Sequence, residues 1–283
     1  MATTQEQAPN PEGQWISCGE DTPLRMNGFT DCGLEELNFI KQSDFVKSLS
    51  QSGFRAIFLQ KESNEAAEII EKKEQFYAAL KDFYNKHAKG SKACRTEEDD
   101  GCFNEEEIKF IVEHSKSINI VICKGVQSVI GATTITTMDD VVAATTTTIM
   151  DDLEGGLSMM VLLTAVSDEK VEAEKEVSYR KNGLMSFLME VGNALHVRLE
   201  KESRKTRGEN KKVAQTVNEF HRYLLVPKNL DDIRDYAKRC GFQEWDNVEG
   251  LLNERKEDHI KQYLHWKRSR LFILSGKLSF QNT

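Results

Sequence analysis

Apolar residues recur along this chain with two periods, and each predicts its own element. From Leu184 they fall at Leu184, Phe187, Leu188, Val191, Ala194, Leu195 and Leu199, the i, i+3, i+4, i+7 rhythm of a helix that buries one face. Arg198, Lys201, Arg204, Lys205 and Arg207 load its carboxyl end with cations, and Gly208 stops it. An earlier helix, capped by Ser63 or Asn64, sets Ala66, Ile69, Ile70, Tyr77, Leu80 and Tyr84 on one face and runs to about His87. Another opens on the capping-box pair Asn104 and Glu107, with Phe103 and Ile108 as its hydrophobic staple. Asn229 caps a fourth, which turns Ile233, Tyr236, Ala237 and Cys240 inward and ends at Gly241; residues 247–266 predict one more.

Short apolar runs between these helices predict strands. Arg55–Lys61 is one, and LSMMVLLTAV (Leu157–Val166) is continuously apolar, as expected of a strand buried on both faces at the centre of a sheet. Arg222–Asn229, the stretch GFQEWD and Arg270–Gly276 follow. INIVICKGVQSVIGATTITT reads as a hairpin turning at Lys124 and Gly125. TTITTMDD (Thr133–Asp140) then recurs as TTTTIMDD (Thr145–Asp152), identical at six of eight positions. Threonine favours strands and paired aspartates favour turns, so the repeat predicts a duplicated strand edge and turn. Its other reading is an acidic rim of Asp139, Asp140, Asp151, Asp152 and Glu154 that attracts a cationic substrate. Residues 1–53 read as an amino-terminal extension, polar and partly disordered, with the domain proper at 54–283.

Composition narrows the function. A chain of 283 residues with 39% hydrophobic and 30% charged residues can bury a sizeable core. Its net charge of -8 opposes general nucleic-acid binding and favours cationic partners. The longest apolar run is too short to span a bilayer, and the first residues lack a signal-peptide pattern, which points to the cytosol or nucleus and to no membrane partner. The six cysteines contain no C-x-x-C pair and the six histidines no zinc-site spacing, so no metal is expected and the thiols read as reduced and structural.

The chemistry gathers ahead of the best helix. Tyr179, Arg180, Lys181 and Asn182 precede Gly183, where the helix begins. Unpaired N–H groups and the positive dipole end face out of that terminus, and glycine allows close approach, so the loop suits a phosphate. The plainer alternative is a turn with solvated cations.

The element order, with SYRKNGLMSFLM, SVIGATTI and YLLVPKNLDDIRDYAKRCGFQEW, resembles the GNAT acetyltransferase superfamily from about residue 54 onward. Arg180 and Gly183 match the family's pyrophosphate loop, Gly131 its third strand, and Asn229, Tyr236, Gly241 and Phe242 its fifth strand, following helix and next strand. Met185 stands where a small residue is usual. The resemblance implies an α+β fold, an α/β/α sandwich whose mixed, mostly antiparallel sheet is splayed between strands 4 and 5 with helices on both faces. It also implies transfer of an acetyl group from acetyl-CoA to a primary amine, either a small cationic amine or a protein amine. Backbone amides from Lys181 through Asn182, Gly183 and Leu184 to Met185 would hold the diphosphate, with Arg180 adding charge and Asn229 contributing to the cofactor site. An N–H near Val166 would polarise the thioester carbonyl. Tyr236 becomes the candidate acid for the departing thiolate, against a core-facing tyrosine as the other reading. No carboxylate lies within Leu157–Val166, so the general base has no assignment. A GNAT-like acyl-CoA-binding or protein-interaction module without catalysis is the alternative from another class.

Overall fold

The computed structural model describes residues 28–61, 67–89, 105–127, 133–134, 140–151, 156–167, 170–171, 177–208, 219–227, 231–244 and 271–279. In chain order its strands are β1 (Phe29–Gly33), β2 (Phe54–Gln60), β3 (Ser117–Lys124), β4 (Val126–Gln127), β5 (Thr133–Thr134), β6 (Val141–Asp151), β7 (Leu157–Val166), β8 (Lys170–Val171), β9 (Val177–Ser178), β10 (Glu219–Pro227), β11 (Gln243–Glu244) and β12 (Leu271–Ser279). The helices are α1 (Asp44–Gln51), α2 (Ala67–Lys89), α3 (Glu105–Glu113), α4 (Leu184–Thr206) and α5 (Asp231–Arg239), with a short 3-10 turn at Leu34–Leu37.

One eight-stranded sheet carries the fold, in the order β1-β2-β3-β6-β7-β10-β12-β11. Every neighbouring pair is antiparallel except β7 with β10. Two layers cover it. Ile57, Leu59, Val121, Tyr223 and Leu225 face α2 and α3 through Phe76, Leu80, Phe83, Tyr84, Ile108 and Val112. The opposite face packs Phe58, Ile118, Ile120 and Ile122 against Val46 and Leu49 of α1 and Leu184, Leu188, Val191 and Leu195 of α4. Farther along, Met159, Val161, Leu224 and Val226 meet Ala237 of α5. No helix among the described residues is long and apolar enough to cross a bilayer.

Several expectations change. Part of the expected extension 1–53 belongs to the sheet domain: β1 pairs along its whole length with β2, and α1 packs into the core of the sheet. The neighbours of β3 are β2 and β6, and among the described residues the segment after Gly125 pairs in the two-residue ribbon β4–β5. Gly131 lies outside the described residues. The two threonine repeats are therefore not one hairpin. Thr145–Thr148 lie in the middle of the sheet, each at most 2% exposed, because their hydroxyls find partners: Thr146 Oγ1 donates to Asn119 Oδ1 (2.7 Å) and Thr145 Oγ1 lies 2.9 Å from Thr164 Oγ1. Burial of a bonded hydroxyl costs little. Asp140 and Asp151 flank opposite ends of the 11-residue β6, on the order of 35 Å apart at strand rise, so they do not share a rim. Asp139, Asp152 and Glu154 lie outside the described residues. On α2, Ile69 and Ile70 are 39% and 43% exposed, while Phe76 and Phe83 fill the face expected of them. Ala66, the caps at Ser63, Asn64 and Asn104, the staple residue Phe103 and the helix at 247–266 lie outside the described residues.

The register of β7 contains the feature that matters most. Thr146 pairs with Leu163 but Thr147 with Val161, so Leu162 is an extra residue, a β-bulge. Before the bulge, Met159 and Val161 face α5; after it, Leu163 faces the α2 layer. The alternation of side chains has shifted by one.

Candidate functional site

The site is built where β7 loses its neighbour. β10 pairs with β7 only from His221–Ser158 to Leu224–Val161, while its remaining residues through Pro227 pair with β12. The parting begins at the bulge, and the half of β7 beyond it is the less buried half. Ser167 N–H donates to Val142 O at 2.8 Å, which makes Val166–Ala143 a non-hydrogen-bonded pair of the β6–β7 ladder. Val166, and Thr164 two residues earlier, therefore direct their N–H and C=O groups away from β6, toward the edge that β10 has left. Arg180 confirms the direction, since its Nε donates to Val166 O from that side at 3.2 Å.

Arg180 also brings the loop to the gap. The charged stretch after Val166 begins and ends in the ribbon β8–β9, with Lys170 opposite Ser178, and the chain then turns into α4. Arg180 N–H donates to Ser178 Oγ (3.1 Å), and Asn182 Nδ2 donates to Arg180 O (3.2 Å) and to Ser178 O. Lys181 and Gly183 both adopt positive φ, 64° and 86°. Glycine is the residue that takes this conformation without strain, and alternation of the backbone in this way turns successive N–H groups toward one concave side. Gly183 is the N-cap of α4 and has no side-chain cap. Phe187 N–H makes the first bond of the helix, to Gly183 O at 2.9 Å. Among the described residues no acceptor engages the amides of Gly183, Leu184, Met185 or Ser186. Four donors at a positive helix end thus stand open beside the gap.

α5 closes the site from the other side. Tyr236 is 37% exposed, so it is not the core-facing residue its helical pattern suggested; Ala237, at 2%, takes the core position. The Tyr236 hydroxyl lies 2.6 Å from Ser186 Oγ, at the first turn of α4. Burial raises the Tyr236 pKa, partly offset by that hydrogen bond, which keeps the phenol protonated and able to act as an acid. The end of α5 is pinned by Phe242 N–H to Ala237 O (3.1 Å) and by Arg222, whose Nη2 donates to Cys240 O at 3.1 Å and whose guanidinium lies 4.1 Å over the Phe242 ring. Desolvation lowers the Arg222 pKa to about 10, which still leaves it charged at neutral pH.

Val166, Arg180, Lys181, Asn182, Gly183, Leu184, Met185 and Tyr236 thus lie on adjoining elements, linked by the Arg180–Val166 and Ser186–Tyr236 hydrogen bonds, while Asn229 lies outside the described residues. Sequence reasoning missed Thr164, Ser186 and Glu190. Glu190 is one turn beyond Ser186 on α4, and burial pushes its pKa up to about 7 against the charge of Lys41. Two of the thiols lie in the core: Cys32 is buried and pushed up to about 12, and burial raises Cys123 as well.

Counted from β2 and without the two-residue ribbons, the strands that part are the fourth and fifth, and they are the parallel pair of the sheet. The fold is GNAT-like. No family model and no curated protein matches the chain. Among solved structures it is similar to Arabidopsis thaliana Naa50 in complex with a bisubstrate analogue, at 11% identity and TM-score 0.33 over 79% of this chain and 97% of the other. A NatC complex bound to Gag peptide and CoA gives 10% identity and TM-score 0.36 over 80% and 99%. Ard1 from Thermoplasma volcanium gives 14% and 0.36 over 71% and 93%. At such scores the fold assignment stands on the sheet order and the parted strands of this chain.

Proposed function

We propose that this protein is an acetyl-CoA-dependent N-acetyltransferase that acetylates a primary amine by direct attack on the thioester. The observation that carries the reading is the set of open amides at Gly183–Ser186 beside a bulged strand that has parted from its parallel neighbour. Diphosphate oxygens would accept from those amides, with Arg180 adding charge. The pantetheine arm would take the place β10 vacates, pairing with the outward N–H and C=O groups of Thr164 and the N–H of Val166, whose C=O is held by Arg180. An N–H there would meet the thioester carbonyl and hold the negative charge that develops on its oxygen.

In the reaction a neutral amine nitrogen forms the C–N bond while the C–S bond breaks, and the CoA thiolate takes a proton. Tyr236 would give it, with Ser186 holding the phenol in position, and the proton that the nitrogen sheds as the amide forms would return through water to the phenolate. A lysine-like ammonium, with a pKa of about 10.4, must first lose a proton, which water accepts in the absence of an assigned base. The net charge of -8 favours a cationic acceptor, and a cytosolic or nuclear setting supplies acetyl-CoA. Two features favour a second reading, an acyl-CoA-binding module without turnover: Tyr236 is already engaged by Ser186, and Met185 occupies a position that the resemblance gives to a small residue.

Calorimetry with CoA and free-thiol release with polyamines, lysine peptides and aminoglycosides test both. We expect CoA binding, turnover on at least one amine, and for Tyr236→Phe an unchanged CoA affinity with kcat down roughly 100-fold or more. Binding without turnover on any amine selects the second reading, and absence of CoA binding overturns both.

A further inference from the structure

We infer that Ser43, on a helix that precedes the acetyltransferase-like part of the chain, is a positioning residue for the diphosphate loop. This rests on the reading of Gly183–Ser186 as the cosubstrate's seat. Ser43 is the N-cap of α1, and its Oγ accepts from Val46 N–H at 3.3 Å. The same hydroxyl donates its proton across 139 residues of sequence to Asn182 O, at 3.0 Å.

That carbonyl belongs to the peptide joining Asn182 to Gly183. In a trans peptide the C=O and N–H point in opposite directions, and the chain contains no cis bond among the described residues. Holding Asn182 O against α1 therefore aims Gly183 N–H away from α1, to the open side. A Cβ on Gly183 would stand 3.3 Å from Ser43 Oγ and 3.5 Å from Ser43 Cβ, so α1 is in contact with the apex of the loop and leaves that peptide little room to rotate.

Neighbouring contacts brace the loop without setting that one plane. The Tyr179 ring stands between Phe45 of α1 and Phe54 of β2, with centroids 6.3 Å from each. The Asn182 side chain closes onto Ser178 O and Arg180 O behind the turn. Ser43 alone among these acts on the Asn182–Gly183 carbonyl. The segment before β2 is in this way a working part of the cosubstrate site.

Calorimetric CoA titrations of the full-length protein and of Ser43→Ala, Ser43→Thr and Val46→Ala, with thermal melts of each, test this. Ser43→Ala should weaken CoA about 5- to 10-fold, as expected for loss of one aligned hydrogen bond. Threonine keeps the hydroxyl and should restore affinity to within about twofold. Val46 is fully buried in α1, so Val46→Ala loosens that helix without touching the loop; it should lower the melting temperature and leave CoA affinity nearly unchanged. In the ¹H–¹⁵N spectrum the Gly183 amide should shift on CoA addition to wild type and shift less in Ser43→Ala. Equal affinities for wild type and Ser43→Ala overturn the role of Ser43 and leave the proposed function standing, as does a Val46→Ala loss as large as that of Ser43→Ala. A wild type that does not bind CoA removes the proposed function, and this inference with it.

Discussion

Two glycines at opposite ends of α4 give a matched test of the anion seat. Gly183 has φ 86° and Gly208 φ 76°, both in the left-handed region, where an alanine costs about 1–2 kcal/mol. The surroundings differ. A Cβ at Gly183 meets Ser43 Oγ at 3.3 Å, whereas one at Gly208 meets nothing within 4 Å. Both Gly183→Ala and Gly208→Ala should therefore lower the melting temperature, each by roughly 2–4 °C for a domain of this size. Only the first should disturb ligand binding. Relief of its strain turns the Gly183 and Leu184 amides, and loss of a single hydrogen bond to a charged oxygen removes about 1.5–3 kcal/mol, or about 10- to 100-fold in CoA affinity. Calorimetry with CoA on the two variants reads that difference directly. If Gly183→Ala binds CoA as tightly as Gly208→Ala while losing the same stability, the amides at the head of α4 are not the seat.

Two further substitutions examine the framework. Burial pushes Glu190 up to about 7, so the native state holds its proton more firmly than the unfolded chain; the associated stability is present below the ordinary carboxylate range and is lost as pH rises toward 7. Glu190→Gln should consequently gain on wild type by on the order of 1–3 kcal/mol between pH 4.5 and 8, less any screening from its partial exposure, and a melting-temperature difference that is flat with pH would refute the assignment. Thr146 Oγ1 donates to Asn119 Oδ1 and lies 3.0 Å from the fully buried Tyr84 hydroxyl, which must then be the donor to it. Thr146→Val strands two buried polar groups and should cost about 2–4 kcal/mol in urea unfolding; a loss below about 1 kcal/mol would show that the network is dispensable.

What could be read from the sequence follows from where the physics is local. β7 and α4 were legible at both ends because a continuous apolar run and a 3.6-residue rhythm need no knowledge of distant partners. β6 was not legible as a central strand. Its threonines look like a polar edge, and they become core residues only through Tyr84 and Asn119, supplied by α2 and β3. The bulge at Leu162 was hidden for another reason: Leu157–Val166 is apolar at nearly every position, so no alternation existed whose shift could betray an extra residue. Arg180, Gly183 and Tyr236 drew attention through a short motif and a family resemblance. Ser43 and Ser186 carried no signal, since each owes its place to a partner 139 or 50 residues away.

The short parallel contact between β7 and β10 has a consequence for how the molecule holds together. Four residue pairs, His221–Leu224 against Ser158–Val161, are the seam between an amino-terminal plate of antiparallel strands and a carboxyl-terminal plate of β10, β12 and β11. Long-range parallel seams are slow to form, and a short one is easily frayed. A molecule lodged past the end of the seam would touch both plates and act as a rivet between them. If CoA takes that place, occupancy and integrity of the sheet are two views of one equilibrium, and the protein would be at its most complete with CoA aboard.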